Sequence, residues 1–234
     1  MIHIEDLDFS VFALTEGMLA VPVEITLWRG ASEPQITVYE QFSPLAEEFL
    51  KTFADDPFSG KAIGFWSDHL TIPMRSFGLE PSADTDNCIR IFKADAVTDI
   101  HTALIAENTC LINQNSELRR YENLTTHALQ IDEDNPDDVC AVSLIEGKIV
   151  AYAALNDSFE DENTLEISVE CAPAYRRQGL AASSAAALTY ELIKRGYTVT
   201  YQCRRSNEAS ARVAEKVGFR DIGMRYSFVC YRNQ

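Results

Sequence analysis

The sequence predicts an α+β fold built around a mixed β-sheet. From about residue 88 to the end, short runs rich in β-branched residues alternate with runs of helical spacing. A β-rich run at 165–171 leads through a short basic loop into an Ala-rich helical run at 179–195. The composition, 46% hydrophobic and 24% charged residues over 234 positions, is that of a globular protein with a sizeable core.

Residues 1–87 are predicted to form an N-terminal α/β extension or small domain. The polar, turn-rich segment 81–87 predicts a linker, and 88–234 would form the main domain. The extension could shape a substrate cleft or build a homodimer.

Within the extension, the runs 19–28 and 35–39 predict strands. Pro22 favours an edge position for the first of them, because proline cannot donate to a ladder. Ser43 and Pro44 predict a helix start, with the serine as N-cap.

The main domain is predicted to alternate strands and helices up to a final pair of strands. A short Gly-containing turn at Glu146-Gly147 joins two of these strands as a hairpin. The predicted elements are a strand at 88–93, helices at 96–106 and 117–130, an acidic loop at 132–138, strands at 139–145 and 148–155, an acidic turn at 156–163, a strand at 165–171, a helix at 179–195, a strand at 197–203, a helix after Asn207, and strands at 220–224 and 227–231.

The strand, loop and helix between residues 165 and 195 predict an anion-binding site. The first amides of a helix lack partners inside the helix, and the helix dipole adds partial positive charge there. That end of the helix therefore suits a phosphate group. Arg176 and Arg177 lie beside these amides and add positive charge. Gly179 lets the backbone approach a ligand closely, and two small alanines follow it.

Two motifs carry a family resemblance. The run Arg176-x-x-Gly179-x-Ala181 resembles the acyl-CoA pyrophosphate loop of the GNAT superfamily, the Gcn5-related N-acetyltransferases. The stretch 207–219 begins with Asn and ends with Gly-Phe, which is similar to the next helix of that superfamily. Its detailed form looks like the zwittermicin-resistance-type acetyltransferases. The resemblance implies a GNAT acyl-CoA N-acyltransferase fold with an N-terminal extension.

The same resemblance implies that an acetyl group moves from acetyl-CoA, as co-substrate, to a primary amine of a small molecule or protein. In the family, main-chain groups at the end of the central strand pair with the pantetheine arm, loop amides hold the pyrophosphate, and the Asn reaches the pantetheine. Carried over residue by residue, the cofactor-binding positions are Val169, Glu170, Cys171, Arg176, Arg177, Gln178, Gly179, Leu180, Ala181, Ala182 and Asn207.

The catalytic residues of the family are only partly present. Many members have a tyrosine acid four residues before the Gly of the Gly-Phe pair, and that position is Ala214 here. Some have a glutamate base in the strand before the Asn, and the matching residue is Gln202. Tyr226 is the candidate replacement for the acid, with Tyr201 as a weaker choice. Tyr226 can equally be a packed core aromatic.

Two glutamates are candidates for the base. Glu166 and Glu170 share one face of the predicted strand because side chains alternate, and either could deprotonate the amine through water. The ordinary alternative is that each is a solvated strand residue.

Charge is distributed unevenly along the chain. The net charge of -16 argues against nucleic-acid and anionic-membrane partners. Residues 175–234 nevertheless hold 11 Lys and Arg against four Asp and Glu. This basic end fits a phosphorylated co-substrate, and the acidic remainder could attract a cationic acceptor.

Cysteine and histidine spacing predicts neither disulfides nor a metal site. The six cysteines form no Cys-x-x-Cys pair, and the four histidines lack metal-ligand spacing. With no signal-like N-terminus and no long apolar run, we expect a cytoplasmic protein with reduced cysteines.

Two alternatives stay open at this point. The chain could be a catalytically silent acyl-CoA-binding sensor or interaction module, because the usual tyrosine acid and one common glutamate base are absent. It could also bind a phosphate compound other than CoA.

Overall fold

A computed structural model describes residues 1–5, 19–83, 87–124, 129–135, 138–161 and 163–232. The strands, in chain order, are β1 (Ile2–Glu5), β2 (Leu19–Trp28), β3 (Gln35–Tyr39), β4 (Leu79–Pro81), β5 (Cys88–Ala94), β6 (Thr109–Ile112), β7 (Glu122–Asn123), β8 (Cys140–Ile145), β9 (Lys148–Asp161), β10 (Thr164–Cys171), β11 (Thr198–Arg204) and β12 (Arg220–Arg232). The α-helices are α1 (Ser43–Phe53), α2 (Gly60–Ser76), α3 (Asn115–Leu118), α4 (Leu180–Lys194) and α5 (Glu208–Val217).

The chain divides into two compact units that alternate along the sequence. The first unit contains Met1–Arg90, Arg204–Ser206 and Ile222–Gln234, and the second contains Ile91–Cys203 and Asn207–Asp221. The expected separation into domains 1–87 and 88–234 stays a prediction. Part of the expected linker, at 84–86, lies outside the described residues.

The first unit is built from strands and two helices. β1 runs parallel to β3, whereas β2 lies between β3 and β12 and is antiparallel to both. The prediction of an edge position for β2 is therefore wrong. Pro22 lies where the β2–β12 register shifts, between the pairs Val23–Phe228 and Ala20–Cys230, so a local irregularity accommodates the missing amide.

Helix α2 was not predicted from the sequence. Ser59 caps it by accepting a hydrogen bond from the Ala62 amide at 3.3 Å. One side of the helix is fully buried in the core of the first unit through four side chains spaced four residues apart, namely Ala62, Trp66, Leu70 and Met74. Helix α1 begins at Ser43, but its N-cap is Phe42 and not the predicted serine, because a 3-10 turn at Glu40–Phe42 already leads into it.

The second unit contains a mixed sheet in the order β11-β10-β9-β8-β6. β10 is parallel to β11, and the remaining neighbours in this order are antiparallel. Helix α4 packs on one face of this sheet, where its buried Ala and Leu side chains meet Leu165, Ile167 and Val199. The predicted strand 165–171, helix 179–195, strand 197–203 and hairpin turn at 146–147 are confirmed within a residue or two.

Two predicted helices are wrong. Residues 96–106 form two 3-10 turns, because the His101 amide donates to the Val217 carbonyl at 2.9 Å and does not continue a helix. The helix predicted at 117–130 is limited to α3, since the Leu124 amide donates to Ile149 beside the strand pair β7–β9. Residues 125–128 of that prediction lie outside the described residues, as do 136–137 of the predicted acidic loop.

Two predicted turns are also wrong. The acidic segment 156–163 does not turn at Asn156, because β9 continues to Asp161, and Asn156 and Asp161 pair with Glu166 and Thr164 of β10 on either side of a register shift. The last two predicted strands are one continuous strand, β12.

Buried hydroxyl groups attach the start of α4 to the sheet beneath it. The Ser143 hydroxyl on β8 lies 2.8 Å from that of Ser184, and it also donates to the Leu180 carbonyl at 3.2 Å. Thr109 on β6 lies 2.8 Å from Ser143 and 2.6 Å from Ser183. All three serines are essentially inaccessible to solvent. These contacts fix where the first turn of the helix points.

Gly218 ends α5 in a left-handed conformation with φ of 117°. The amides of Gly218 and Phe219 donate to the Ala214 carbonyl, as in a helix C-cap. A Cβ atom at Gly218 would lie 1.9 Å from the Asp99 carbonyl oxygen, so the position requires glycine for both conformation and space.

We expect Gly218→Ala to lower the free energy of unfolding by more than Gly196→Ala does. Gly196 follows α4 at φ of 99° with open space around it, so its replacement costs about 1 kcal/mol of left-handed strain. Gly218→Ala adds a backbone collision and should cost at least about twice that. Urea unfolding of both variants measures the difference, and equal costs would contradict the contact with Asp99.

Ser143→Ala should destabilise the protein by about 1–3 kcal/mol, because Thr109 and Ser184 each lose a buried hydrogen-bond partner. Ser116→Ala, which truncates an exposed serine, is the matched control and should change stability by less than about 0.5 kcal/mol. Unfolding midpoints in urea compare the two. A near-neutral Ser143→Ala would show that the hydroxyl network does not hold the helix.

Candidate functional site

The N-terminus of α4 presents unpaired amides. Gly179 is the N-cap, with φ of 87°, and the first amide that finds a partner is that of Ser183, which donates to the Gly179 carbonyl at 2.9 Å. The amides of residues 177–182 have no hydrogen-bond partner among the residues that the structure describes. Apart from its own chain neighbours, no described residue has an atom within 4 Å of the place where a Cβ of Gly179 would be. These features fit a diphosphate group lying across the helix end.

The basic loop before the helix is held to the end of β10. Arg176 donates from Nε to the Cys171 carbonyl at 3.2 Å, which turns this side chain back toward the strand. Arg177 adopts a positive φ of 64°, and the side chains of Arg177 and Gln178 are exposed. Arg177 is therefore the arginine whose charge is available beside the free amides.

The parallel ladder between β10 and β11 stops before either strand ends. Pairing runs from Thr164–Thr198 to Ile167–Tyr201, and among the described residues it goes no further. Val169, Glu170 and Cys171 lie beyond this point and still pair with β9 on their other side. Their backbone edge toward β11 is thus open to an extended ligand.

The face of the sheet opposite α4 carries Glu170. Tyr152 on β9 is its cross-strand partner, and the tyrosine hydroxyl donates to Oε2 of Glu170 at 2.8 Å. Tyr152 is 6% exposed, and burial raises the pKa of its hydroxyl, followed by the hydrogen bond to Glu170 and the charge of that group.

Glu166 occupies the same face four residues earlier and is 8% exposed. Asn156 on β9 donates from Nδ2 to its Oε1 at 2.9 Å, and Gln202 on β11 donates from Nε2 to its Oε2 at 2.9 Å. Both oxygens of Glu166 are therefore held by amide groups, whereas Glu170 is only partly buried at the open end of the strand.

The other predicted residues are placed as follows. Asn207 is exposed and caps α5, where its Oδ1 accepts from the Ser210 amide at 3.1 Å. Tyr201 is buried between Phe92 and Phe219, and its hydroxyl lies 2.7 Å from that of Ser210. Burial also raises the pKa of Tyr201.

Tyr226 lies in the core of the first unit and is 2% exposed. Burial raises the pKa of its hydroxyl, with smaller contributions from Cys88 and Cys230. The structure thus gives Tyr226 the surroundings of a packed aromatic, and the prediction that it acts as the acid stays a prediction.

Sequence reasoning did not find Tyr152 or Asn156. Their partners lie on the neighbouring strand, so only the register between β9 and β10 reveals the contacts. An alternating strand that contains a tyrosine and an asparagine carries no local signal for such a role.

All six cysteines are free, and four of them are buried. Among the described residues no group of three or more His, Cys, Asp or Glu side chains could hold a metal ion. His127 lies outside these residues. The described helices include none with the length and apolarity needed to cross a membrane.

Comparisons with known proteins agree with this geometry. The family model for GNAT acetyltransferases matches residues 139–227. A GNAT-family protein structure from Novosphingobium aromaticivorans has a TM-score of 0.50 at 18% identity over 67% of this chain and 69% of its own. A GCN5-related N-acetyltransferase-like protein from Streptococcus suis has a TM-score of 0.52 at 17% identity over 96% and 93%.

The comparison with curated proteins gives no match. At these identities the structural likeness concerns the fold, and the family model concerns the segment that contains the open strand end and the α4 loop. The chain therefore has the GNAT acyl-CoA N-acyltransferase fold, and its residues 139–227 are similar to the GNAT acetyltransferase family.

Proposed function

We propose that this protein is an N-acetyltransferase that moves an acetyl group from acetyl-CoA to a primary amine of a small molecule or protein. The observation that carries the proposal is the adjacency, along the chain, of an open strand end at 168–171 and an unpaired helix N-terminus at 177–182. One can pair with an extended amide-containing arm, and the other can hold a diphosphate.

The co-substrate would lie along these two features. The open edge at Val169, Glu170 and Cys171 would take the pantetheine arm. The diphosphate would accept hydrogen bonds from the loop and helix amides, with Arg177 adding charge. Because Asn207 already caps α5 through its Oδ1, its amide nitrogen is the atom that would reach the pantetheine.

Glu170 is the base in this proposal. It lies in the open part of β10, whereas both oxygens of Glu166 already accept hydrogen bonds. Four residues of strand separate the two Cα atoms by about 13 Å, so one acceptor nitrogen cannot contact both carboxylates directly. We therefore assign proton removal to Glu170 and a positioning role to Glu166.

The reaction then needs one proton transfer before the bond changes. The Glu170 carboxylate takes a proton from the ammonium form of the acceptor, and the neutral nitrogen attacks the thioester carbonyl carbon. A carbon–nitrogen bond forms, the carbon–sulfur bond breaks, and the electron pair leaves with the thiolate of CoA. A proton from a general acid or from water completes the thiol. Tyr226 stays the predicted acid.

Acceptor identity is a finer part of the proposal. The likeness of residues 207–219 to zwittermicin-resistance-type enzymes favours a small-molecule amine, and the acidic composition of the first 174 residues favours a cationic one. Homodimer formation and a cytoplasmic location stay predictions.

The direct test of the proposed activity is release of free thiol from acetyl-CoA in the presence of a panel of primary amines. Binding of acetyl-CoA without thiol release would favour a silent CoA-binding module.

Arg177→Glu should weaken CoA binding at least tenfold, because it replaces an attractive charge beside the diphosphate with a repulsive one. Arg212→Glu is the matched control, since Arg212 is an exposed arginine on α5 and the change in net charge is the same. Isothermal titration calorimetry with CoA measures both. Equal affinities for the two variants, or no heat with the unaltered protein, would contradict the assigned diphosphate site.

Glu170→Gln should reduce kcat about 100-fold or more while leaving CoA affinity within about twofold, because glutamine cannot take the proton. Glu208→Gln, at an exposed position on α5, is the control and should keep full activity. Steady-state thiol release and calorimetry separate the two effects. Unchanged turnover in Glu170→Gln would remove Glu170 from the mechanism.

A further inference from the structure

Tyr152 is a buried hydroxyl in direct contact with the proposed base. It belongs to β9, pairs with Glu170 across the ladder, and donates to Oε2 of Glu170 at 2.8 Å. Neither the family resemblance nor the sequence pattern gives this tyrosine a role. Its position one strand away from the open edge places it beside Glu170 and not on the edge that would face the co-substrate.

The direction of this hydrogen bond is fixed by the state of the tyrosine. Burial raises the pKa of Tyr152 well above its ordinary value, so the hydroxyl keeps its proton at neutral pH. A protonated hydroxyl that donates to a carboxylate stabilises the charged form of that carboxylate. It also orients the carboxylate, because the tyrosine ring is itself buried in a hydrophobic cluster with Val142 and Ile149.

Several other polar or charged side chains lie near Glu170. Glu166 lies four residues earlier on the same face, and Cys171 follows Glu170 directly. Arg176 approaches from the loop, and the pKa of Cys171 responds to burial first, then to Arg176, which lowers it, and to Glu170, which raises it. Gln202 is neutral. In addition to these neighbours, the Tyr152 hydroxyl is hydrogen-bonded to a Glu170 oxygen.

We infer that Tyr152 is a positioning residue for the reaction, which holds the Glu170 carboxylate charged and oriented so that it can take the proton of the acceptor amine. The inference rests on the proposed function. It adds that Glu170 acts as the base together with Tyr152, which orients it. The tyrosine neither contacts the co-substrate nor gives up its proton.

The test is the pH profile of thiol release for Tyr152→Phe, which removes only the hydroxyl. Without the donor, the charged carboxylate is less favoured, so the acidic limb of the kcat profile should move upward by about one pH unit. On that limb we expect kcat at a given pH to fall by up to about tenfold, with the KM for acetyl-CoA unchanged. A purely structural tyrosine would lower stability and leave the limb in place.

Tyr201→Phe is the matched control. Tyr201 is also buried and loses one hydrogen bond, to Ser210, but it lies among the core residues that face α4 and α5. With the same amine, the acidic limb of the kcat profile of Tyr201→Phe should coincide with that of the unaltered protein. Titration of the acceptor amine itself affects the unaltered protein and both variants equally, so it cannot cause a difference between them. Coinciding limbs for Tyr152→Phe and Tyr201→Phe would overturn the inference and leave the proposed function intact.

A second measurement does not depend on turnover. Carbon-13 NMR of the Glu170 carboxyl, assigned by its loss in Glu170→Gln, should show a titration midpoint at higher pH in Tyr152→Phe than in the unaltered protein. If Tyr152→Phe does not fold, 3-fluorotyrosine incorporated in place of tyrosine makes the hydroxyl a stronger donor, and the midpoint should move downward. An unmoved midpoint in the variant that folds would also overturn the inference. Absence of thiol release with every amine would instead count against the proposed function.

Discussion

Hydrogen bonds between buried hydroxyl groups determine where the first turn of α4 points. Ser143 on β8 contacts both Ser184 and the Leu180 carbonyl, so helix and sheet are joined one turn below the free amides. A helix that packs only through alanines could slide along the sheet at little cost, because small apolar side chains specify position poorly. The directional contacts remove that freedom. The proposed diphosphate site therefore depends on polar groups in the core as much as on the exposed arginines.

Two glutamates of identical chemistry receive different surroundings on the same strand. Both oxygens of Glu166 accept hydrogen bonds from side-chain amides. These amides are neutral, so they fix the carboxylate but bring no counter-charge to it through those contacts. Glu170 accepts a hydrogen bond from the Tyr152 hydroxyl and lies where the ladder with β11 has ended. Burial alone would not separate their roles. The roles of the two glutamates are separated by the point at which the pairing between β10 and β11 ends, because that point determines which carboxylate a bound ligand can reach.

The sequence predicted those parts of the fold and site whose signals are local. The β-rich run before Pro173, the helix that follows Gly179 and the helix after Asn207 are all encoded by neighbouring residues, and the structure has them where they were expected. Tyr152 and Asn156 contact the two glutamates through the register between β9 and β10, which no local pattern in the sequence gives, and Asn156 lies where a turn was expected. The helix predicted at 96–106 is absent for a similar reason, since the amide and the ring of His101 both contact distant carbonyls of α5.

The replacement of the family's tyrosine by Ala214 follows from packing. Ala214 is fully buried in the core of the second unit, between the equally buried Ala211 and Val217 on the inner side of α5. A tyrosine there would need room for a whole ring in a close-packed cluster, which costs more than a small shift can offset. The Val217 carbonyl at the end of the same helix accepts from the distant His101 amide at 2.9 Å, which opposes a rotation that would turn position 214 outward. If the protein is the acetyltransferase we propose, the thiolate of CoA must therefore be protonated by a group other than residue 214.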